Sequence, residues 1–207
     1  MAGLNLMGYN AMALGPNELA LGPDVLQKRM AEAQFPILSA NVAIIDSGQL
    51  LALPYTVLEV GGHQVGVIGL TRAPDAAVPG FQVLDPQEAL AKFVPELAQQ
   101  AATIIVLTNL PYRAAQSLAS VVPGIDLLIA ARPEYIPAQV VLAPGTGAMI
   151  LSAEMPTPRH TGRRVGRLTV TVGADGKLSA PQWQTVAMGP QIADDATMRD
   201  LLNRFSQ

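Results

Sequence analysis

Two runs of this chain, Thr103-Ile-Ile-Val-Leu-Thr108 and Ile125-Asp-Leu-Leu-Ile129, are apolar almost without interruption. A strand with one wet face alternates apolar and polar residues. A strand that lacks the alternation has to be covered on both faces. Between the two runs, Tyr112–Val121 reads as a helix, so the strands are joined by a helical crossover. Any fold for this chain must therefore put a layer of structure on each side of that sheet.

The remaining punctuation fills in the other elements. Tyr55–Val60 and Gln64–Thr71 flank Gly61-Gly62-His63, a glycine turn between two β-rich segments that predicts a hairpin. A second hairpin is expected where Arg167–Val172 and the segment from Lys177 flank Gly173-Ala-Asp-Gly176. Pro36–Val42 reads as a short strand, and Ala11–Leu14 as a strand running into a tight turn at Gly15-Pro16. Helices are expected at Pro23–Gln34, Pro86–Ala101 and Asp195–Phe205. The second has Asp85 as its cap, Pro86 at its first position and Glu88 in its first turn. Leu90, Phe93, Val94, Leu97 and Ala101 then fall on one face, while Pro95 is expected to kink or divide the helix. Met155–Arg164, with two prolines and a glycine, reads as a loop. Hairpins and helical crossovers together give an α/β class with mixed strand order. Residues 1–190 are expected to form one domain, with 191–207 as a C-terminal helix.

Composition excludes several functions. With no cysteine, disulfides, thiolate metal sites and cysteine nucleophiles are all ruled out. A net charge of −3 and a pI near 5.3 argue against nucleic acid, which asks for a basic face. Only 14% of residues are charged, against about a quarter in a typical domain, and mean hydropathy is +0.31. So little charge favours burial against a partner. The first basic residue is Lys28 and no apolar run approaches about 18 residues, so neither a targeting segment nor a membrane span is expected.

Seven stretches, in order, carry a family resemblance: Met7-Gly-Tyr-Asn-Ala-Met-Ala-Leu-Gly15, Asn17-Glu18, Gly22-Pro-Asp-Val-Leu26, Phe35-Pro-Ile-Leu-Ser-Ala-Asn-Val42, Gly66-Val-Ile-Gly-Leu-Thr71, Ile105-Val-Leu-Thr108 and Gly124-Ile-Asp-Leu-Leu-Ile129. With them the chain resembles the catalytic domain of the 5'-nucleotidase branch of the calcineurin-like metallophosphoesterases. The resemblance implies a two-sheet sandwich flanked by helices, four layers in the order αββα, incomplete at the N-terminus. It also suggests an extracytoplasmic setting, although the chain itself leaves the compartment open. Enzymes of this family hold two divalent metals that activate a water and clamp phosphate oxygens.

The resemblance also implies where the metal ligands belong, and the residues there have changed. The family's Asp-x-His and Gly-Asp motifs are expected upstream of Met1. Its Gly-Asn-His-Glu is Gly15-Pro16-Asn17-Glu18, so the ligand asparagine is Pro16 and the leaving-group histidine is Asn17. Proline offers no side-chain donor atom, and an amide cannot pass a proton near neutral pH. The expected Ser-His-Leu-Gly is Thr108-Asn109-Leu110-Pro111. The expected Gly-Gly-His-x-His is Ala130-Ala131-Arg132-Pro133-Glu134, and a guanidinium at a metal position repels the metal.

Other groups invite weaker readings. Asn17, Glu18, Asn109 and Glu134 could rebuild an oxygen-only site suited to Ca²⁺ or Mg²⁺, or Arg132 could fill the space by pairing with Glu134 or Glu18. Arg159, His160, Arg163 and Arg164 form a basic cluster that is either an anion-binding loop or simply solvated. His63 is expected to be exposed in its glycine turn. Gly145-Thr-Gly147 lacks the lysine and helix start of a phosphate loop, and Asp194-Asp195 reads as a helix cap. Neither Ser39 nor Ser117 has a histidine in a plausible motif.

The expectation is a catalytically inactive, metallophosphoesterase-like protein with no metal or cofactor, acting as a binding or structural subunit of a larger assembly. A divergent metal-dependent phosphohydrolase and a fragment of a longer nucleotidase-like protein are the alternatives. A missing upstream neighbour would leave Ala11–Leu14 with an unpaired edge. The chain would then pair that edge with another chain, rearrange its sheet, or cover it with Met1–Met7.

Overall fold

The computed structural model describes residues 1–131, 140–152 and 164–205. From the N-terminus come α1 (Ala2–Leu6), β1 (Met12–Ala13), α2 (Pro16–Leu19), α3 (Pro23–Ala31), β2 (Ile37–Leu38), β3 (Val42–Ile44), β4 (Tyr55–Val60), β5 (His63–Leu70) and β6 (Phe81–Val83). Then follow α4 (Pro86–Leu97), β7 (Thr103–Thr108), α5 (Tyr112–Val121), β8 (Leu127–Ala130), β9 (Val140–Leu142), β10 (Met149–Ser152), β11 (Arg164–Val172), β12 (Leu178–Ala187) and α6 (Ala196–Phe205).

The two apolar runs lie side by side in the middle of a six-stranded sheet of order β4-β5-β7-β8-β10-β9. Its four inner strands are parallel and its two edges antiparallel. The β4–β5 hairpin turns on Gly61 and Gly62, at φ 59° and 85°, the two left-handed residues that a two-residue turn needs. On one face, Leu90, Phe93, Val94 and Leu97 of α4 and Ala115, Leu118 and Ala119 of α5 pack with Ile104, Val106, Leu128 and Ile150. Asp85 caps α4 through its carboxylate, which accepts from Gln87 N at 2.7 Å and Glu88 N at 3.0 Å. Pro95 does not divide this helix. It lies in the final turn, where only one ladder bond is lost, and Ala98 N still reaches Val94 O at 2.9 Å.

The other face carries two separate pairs of strands. β1 and β2 run parallel, with Ala13 opposite Leu38, and their inner side packs on Val65 and Val67 of β5. Their outer side is covered by Leu19 of α2, Leu26 of α3, Phe35 and Phe81. The β11–β12 hairpin seats Leu168, Val170, Leu178 and Trp183 on Leu127, Met149 and Leu151. Its turn is tied down where Thr103 Oγ1 donates to Gly176 O and Lys177 Nζ reaches Asp126 Oδ1 at 2.9 Å. The layers therefore run αββα, with mixed sheets and flanking helices.

Several local expectations need correction. Gly15-Pro16 is not a tight turn but the start of α2, with Gly15 as N-cap and Pro16 at the first helical position. The strand expected over Pro36–Val42 is split, because Ser39-Ala40-Asn41 bends the chain away from β1 and towards β6. His63 is half-buried as the first residue of β5 rather than exposed. Met1–Leu6 does not cover the edge of β1. It forms α1, whose Met1 and Leu4 pack on the outer side of β1–β2, while Asn5 bonds Glu32 O at 2.8 Å and Gln34 N at 2.9 Å. The loop expected at Met155–Arg164 lies outside the described residues except for Arg164, which opens β11.

The layers approach closely at Gly69, where an added Cβ would lie 2.4 Å from the backbone oxygen of Leu38. Neither backbone can give way, since Ala40 N also bonds Gly69 O at 2.7 Å. Gly69→Ala should cost about 1–3 kcal/mol by overpacking, read as a lower urea midpoint with unchanged m-value.

Candidate functional site

β1, β2, β5 and β7 all end at the same edge of the two layers, and polar side chains gather there in an otherwise apolar interior. Ser39, Asn41, Thr71 and Thr108 are buried. Thr71 is the hub. Its hydroxyl donates to Leu14 O at 2.8 Å and lies 2.8 Å from Ser39 Oγ. Asn41 grips the Thr71 backbone from both sides, accepting from its N–H at 2.8 Å and donating to its carbonyl at 2.9 Å.

Asn109 follows β7 directly and closes this cluster towards solvent. Its Nδ2 donates to Leu14 O at 3.1 Å, and its Oδ1 accepts from Arg72 N at 2.6 Å. Both ends of the amide are thus engaged by backbone. The Arg72 guanidinium is paired with Asp75 Oδ1 at 2.7 Å. On the facing loop, a Cβ added to Gly15 would lie 2.4 Å from Glu18 Oε2 and 3.4 Å from Asn109 Nδ2, so these two side chains converge over a glycine. Pro16 is half-buried in the first turn of α2, and Asn17 beside it is exposed.

Of the residues singled out from sequence, the fold thus brings Gly15, Pro16, Glu18 and Asn109 together and leaves Asn17 facing outward. Arg132 and Glu134 lie outside the described residues, as do Arg159, His160 and Arg163. Arg164 is exposed at the start of β11. Asp195 Oδ1 accepts from Met198 N at 2.8 Å, the cap expected of Asp194-Asp195. Gly145 and Gly147 turn the chain between β9 and β10, with Thr146 Oγ1 donating to Ala119 O at 2.5 Å. Ser117 Oγ bonds Arg113 O within its own helix. Sequence reading missed the hub itself. Ser39, Asn41 and Thr71 were visible as polar residues inside apolar strands, which have to find partners when buried.

The similarities of the whole chain bear on this edge of the molecule. A 5'-nucleotidase from Vibrio cholerae is 35% identical over 104 residues, covering 47% of this chain and 19% of that protein. Rat 5'-nucleotidase is 26% identical over 226 residues, covering 98% of this chain and 39% of that protein. The crystal structure of a 5'-nucleotidase precursor from Thermus thermophilus matches with a TM-score of 0.83 and 30% identity, over 99% of this chain and 44% of the other. The chain resembles a 5'-nucleotidase, in sequence and in fold. The calcineurin-like phosphoesterase YfkN from Bacillus subtilis shares the fold at a TM-score of 0.72 and 21% identity, over 100% of this chain and 72% of that one. No protein-family model matches the chain. This 5'-nucleotidase-like chain spans less than half the length of the three nucleotidases named.

The two-metal centre implied by the resemblance can be tested against the residues in place. Pro16 has no donor atom, and the Asn109 amide is spent on Leu14 and Arg72. Among the described residues no group of three or more histidine, aspartate or glutamate side chains comes together in a way that could hold a metal ion. The described residues do not fit such a centre.

Asn109→Ala should strand the Arg72 N–H and cost about 1–3 kcal/mol in thermal or urea unfolding. Asn109→Asp should cost at least as much at neutral pH, because a carboxylate oxygen would then face the Leu14 carbonyl.

Proposed function

We propose that this chain is a 5'-nucleotidase-like binding or structural module without metal-dependent hydrolysis of its own. The observation that carries the reading is Asn109. Where the resemblance implies a metal-site histidine, an amide bonds the backbone at Leu14 and Arg72 and holds the ends of β1, β5 and β7 together. A two-metal hydrolase works by polarising a phosphate and ionising a water between fixed cations. The side chains of Ser39, Asn41, Thr71 and Asn109 at this edge are committed instead to neutral hydrogen bonds that stabilise the fold. Pro16 adds to this, since it starts α2 and offers nothing to a cation. The sparse charge of the chain supports a role among other polypeptides, and the basic cluster Arg159, His160, Arg163 and Arg164 is a candidate anion contact in such a role.

One observation favours a second reading. Glu18 and Asn109 converge over Gly15, and oxygen ligands suit Ca²⁺ or Mg²⁺. A divergent phosphohydrolase would need further oxygens beside them. The nucleotidases that resemble the chain are also longer, and their whole-protein activity belongs to those longer polypeptides.

Titration calorimetry separates the readings. Mn²⁺, Zn²⁺ and Ca²⁺ should each bind with a Kd no tighter than about 1 µM, some 8 kcal/mol of binding energy. Stoichiometric tighter binding of Mn²⁺ or Zn²⁺ would remove the non-catalytic reading, and tight Ca²⁺ alone would support the oxygen-only site. The combined variant Pro16→Asn, Asn17→His, Asn109→His, Arg132→His and Glu134→His should remain inactive on para-nitrophenyl phosphate with added Mn²⁺, since it gains no bridging carboxylate. Hydrolysis well above background would mean that ligands come from elsewhere in the chain.

A further inference from the structure

The β11–β12 hairpin turns on Asp175-Gly176, the one place in the chain where an aspartate or asparagine precedes glycine. The packing demands both residues. Gly176 donates its N–H to Gly173 O at 2.9 Å, and Gly173 N–H bonds Lys177 O at 2.9 Å. Gly176 has a φ of 77°, and an added Cβ would fall inside the van der Waals shell of Ala102, so no side chain fits there. Asp175 is exposed, and its Oδ1 accepts from Lys177 N at 3.0 Å, the local carboxylate-to-backbone bond that favours aspartate in turns.

The turn is seated on the sheet at the opposite end of β7 from the candidate site. Gly176 is buried against Ala102, and its carbonyl accepts from the Thr103 hydroxyl. Lys177 pairs with Asp126, whose second oxygen accepts from Ile104 N at 2.8 Å. The seat is therefore made by residues of the sheet itself and depends on exact placement of two consecutive residues, Gly176 and Lys177.

An aspartate followed by glycine can react with its own backbone, because glycine leaves the next nitrogen unhindered. That nitrogen attacks Cγ. The N–Cγ bond forms, the Cγ–O bond breaks, and the amide hydrogen leaves with the hydroxyl of the protonated carboxyl group as water. The cyclic imide then takes water back. If it opens at the main-chain carbonyl of Asp175, the chain runs on through Cβ and Cγ, one carbon longer and unchanged in mass. In the seated turn both reactants are engaged, the nitrogen's hydrogen by Gly173 O and the carboxylate by Lys177 N. Reaction therefore requires the turn to open locally, and its rate follows the open fraction.

We infer that Asp175-Gly176 is a site of spontaneous backbone isomerisation, held in check by the seating of the turn, and that the isoaspartyl product keeps the turn unseated. A backbone longer by one carbon no longer delivers Gly176 to Thr103 and Lys177 to Asp126 together. Water is the sole co-reactant. The inference concerns a turn remote from the ends of β1 and β2, and stands whatever that edge binds.

The test is ageing of the full chain at physiological temperature and neutral pH, beside a synthetic peptide of the sequence Leu168–Lys177 as the unseated reference. Peptide mapping separates the isoaspartyl and aspartyl forms. Isoaspartate should accumulate at Asp175 in the chain, about tenfold or more slowly than in the peptide. Thr103→Val keeps the side chain's size and removes its hydroxyl, and Lys177→Ala removes the ion pair. Each should speed the reaction by about two- to tenfold, the equivalent of one lost polar contact, with thermal melts confirming that the variants fold. Hydrogen exchange on the isolated isoaspartyl chain should show the Gly176 amide unprotected and the Val106 amide, in β7, still protected. Equal rates in chain and peptide, equal rates in both folded variants and the unmodified chain, or a Gly176 amide still protected after isomerisation would overturn the inference. So would the absence of isoaspartate from the chain and both variants once the peptide has converted.

Discussion

Thr71 sits where the chain leaves β5, and four of its hydrogen bonds cross between layers. Its hydroxyl joins the end of β1 to Ser39, and its backbone is held on both sides by the amide of Asn41. Hydrogen bonds made in so dry a setting are costly to lose, since each abandoned group keeps its full desolvation penalty. The junction therefore fixes the offset of β1–β2 over β5, and with it the close approach at Gly69. Everything that the outer helices cover depends on that offset.

The layered plan was legible because its determinants are local. Unbroken apolar runs at 103–108 and 125–129, a Gly-Gly turn at 61–62 and an Asp-Pro helix start at 85–86 each have one structural answer. The second layer was less legible. A polar interruption at Ser39–Asn41 splits one expected strand in two, and its meaning lies in Thr71, which is distant in sequence. Pro16 was read as a turn residue when it serves equally as the first residue of a helix. The placement of α1 against β2 and α3 is tertiary, carried by Asn5 bridging to Glu32 and Gln34, and five residues of weak propensity announce none of it.

Most of what sequence implied about the candidate site concerned which atoms are absent. What replaced them emerged only from the fold. Asparagine can face a carbonyl with its amino group and an amide N–H with its oxygen, so it can tie two backbone segments where an imidazole at a metal site would face a cation. The same position can thus serve the folded state or a metal, but hardly both. The exposure of Asn17 fits this division, because a residue outside the clamp has no internal partner to satisfy.

The one tryptophan of the chain lies in the β11–β12 hairpin. The ring of Trp183 rests on Gly166, where an added Cβ would lie 1.9 Å from the indole, and its Nε1 is buried without an acceptor among the described residues. Glycine diagonally across from an aromatic lets the ring lie flat across the ribbon. The optical consequence is that intrinsic indole emission reports on this ribbon alone, while the helix-covered core is silent at those wavelengths. If the ribbon lifts off before the core melts, fluorescence and far-ultraviolet dichroism will give different midpoints, and the chain will not unfold as a single cooperative unit.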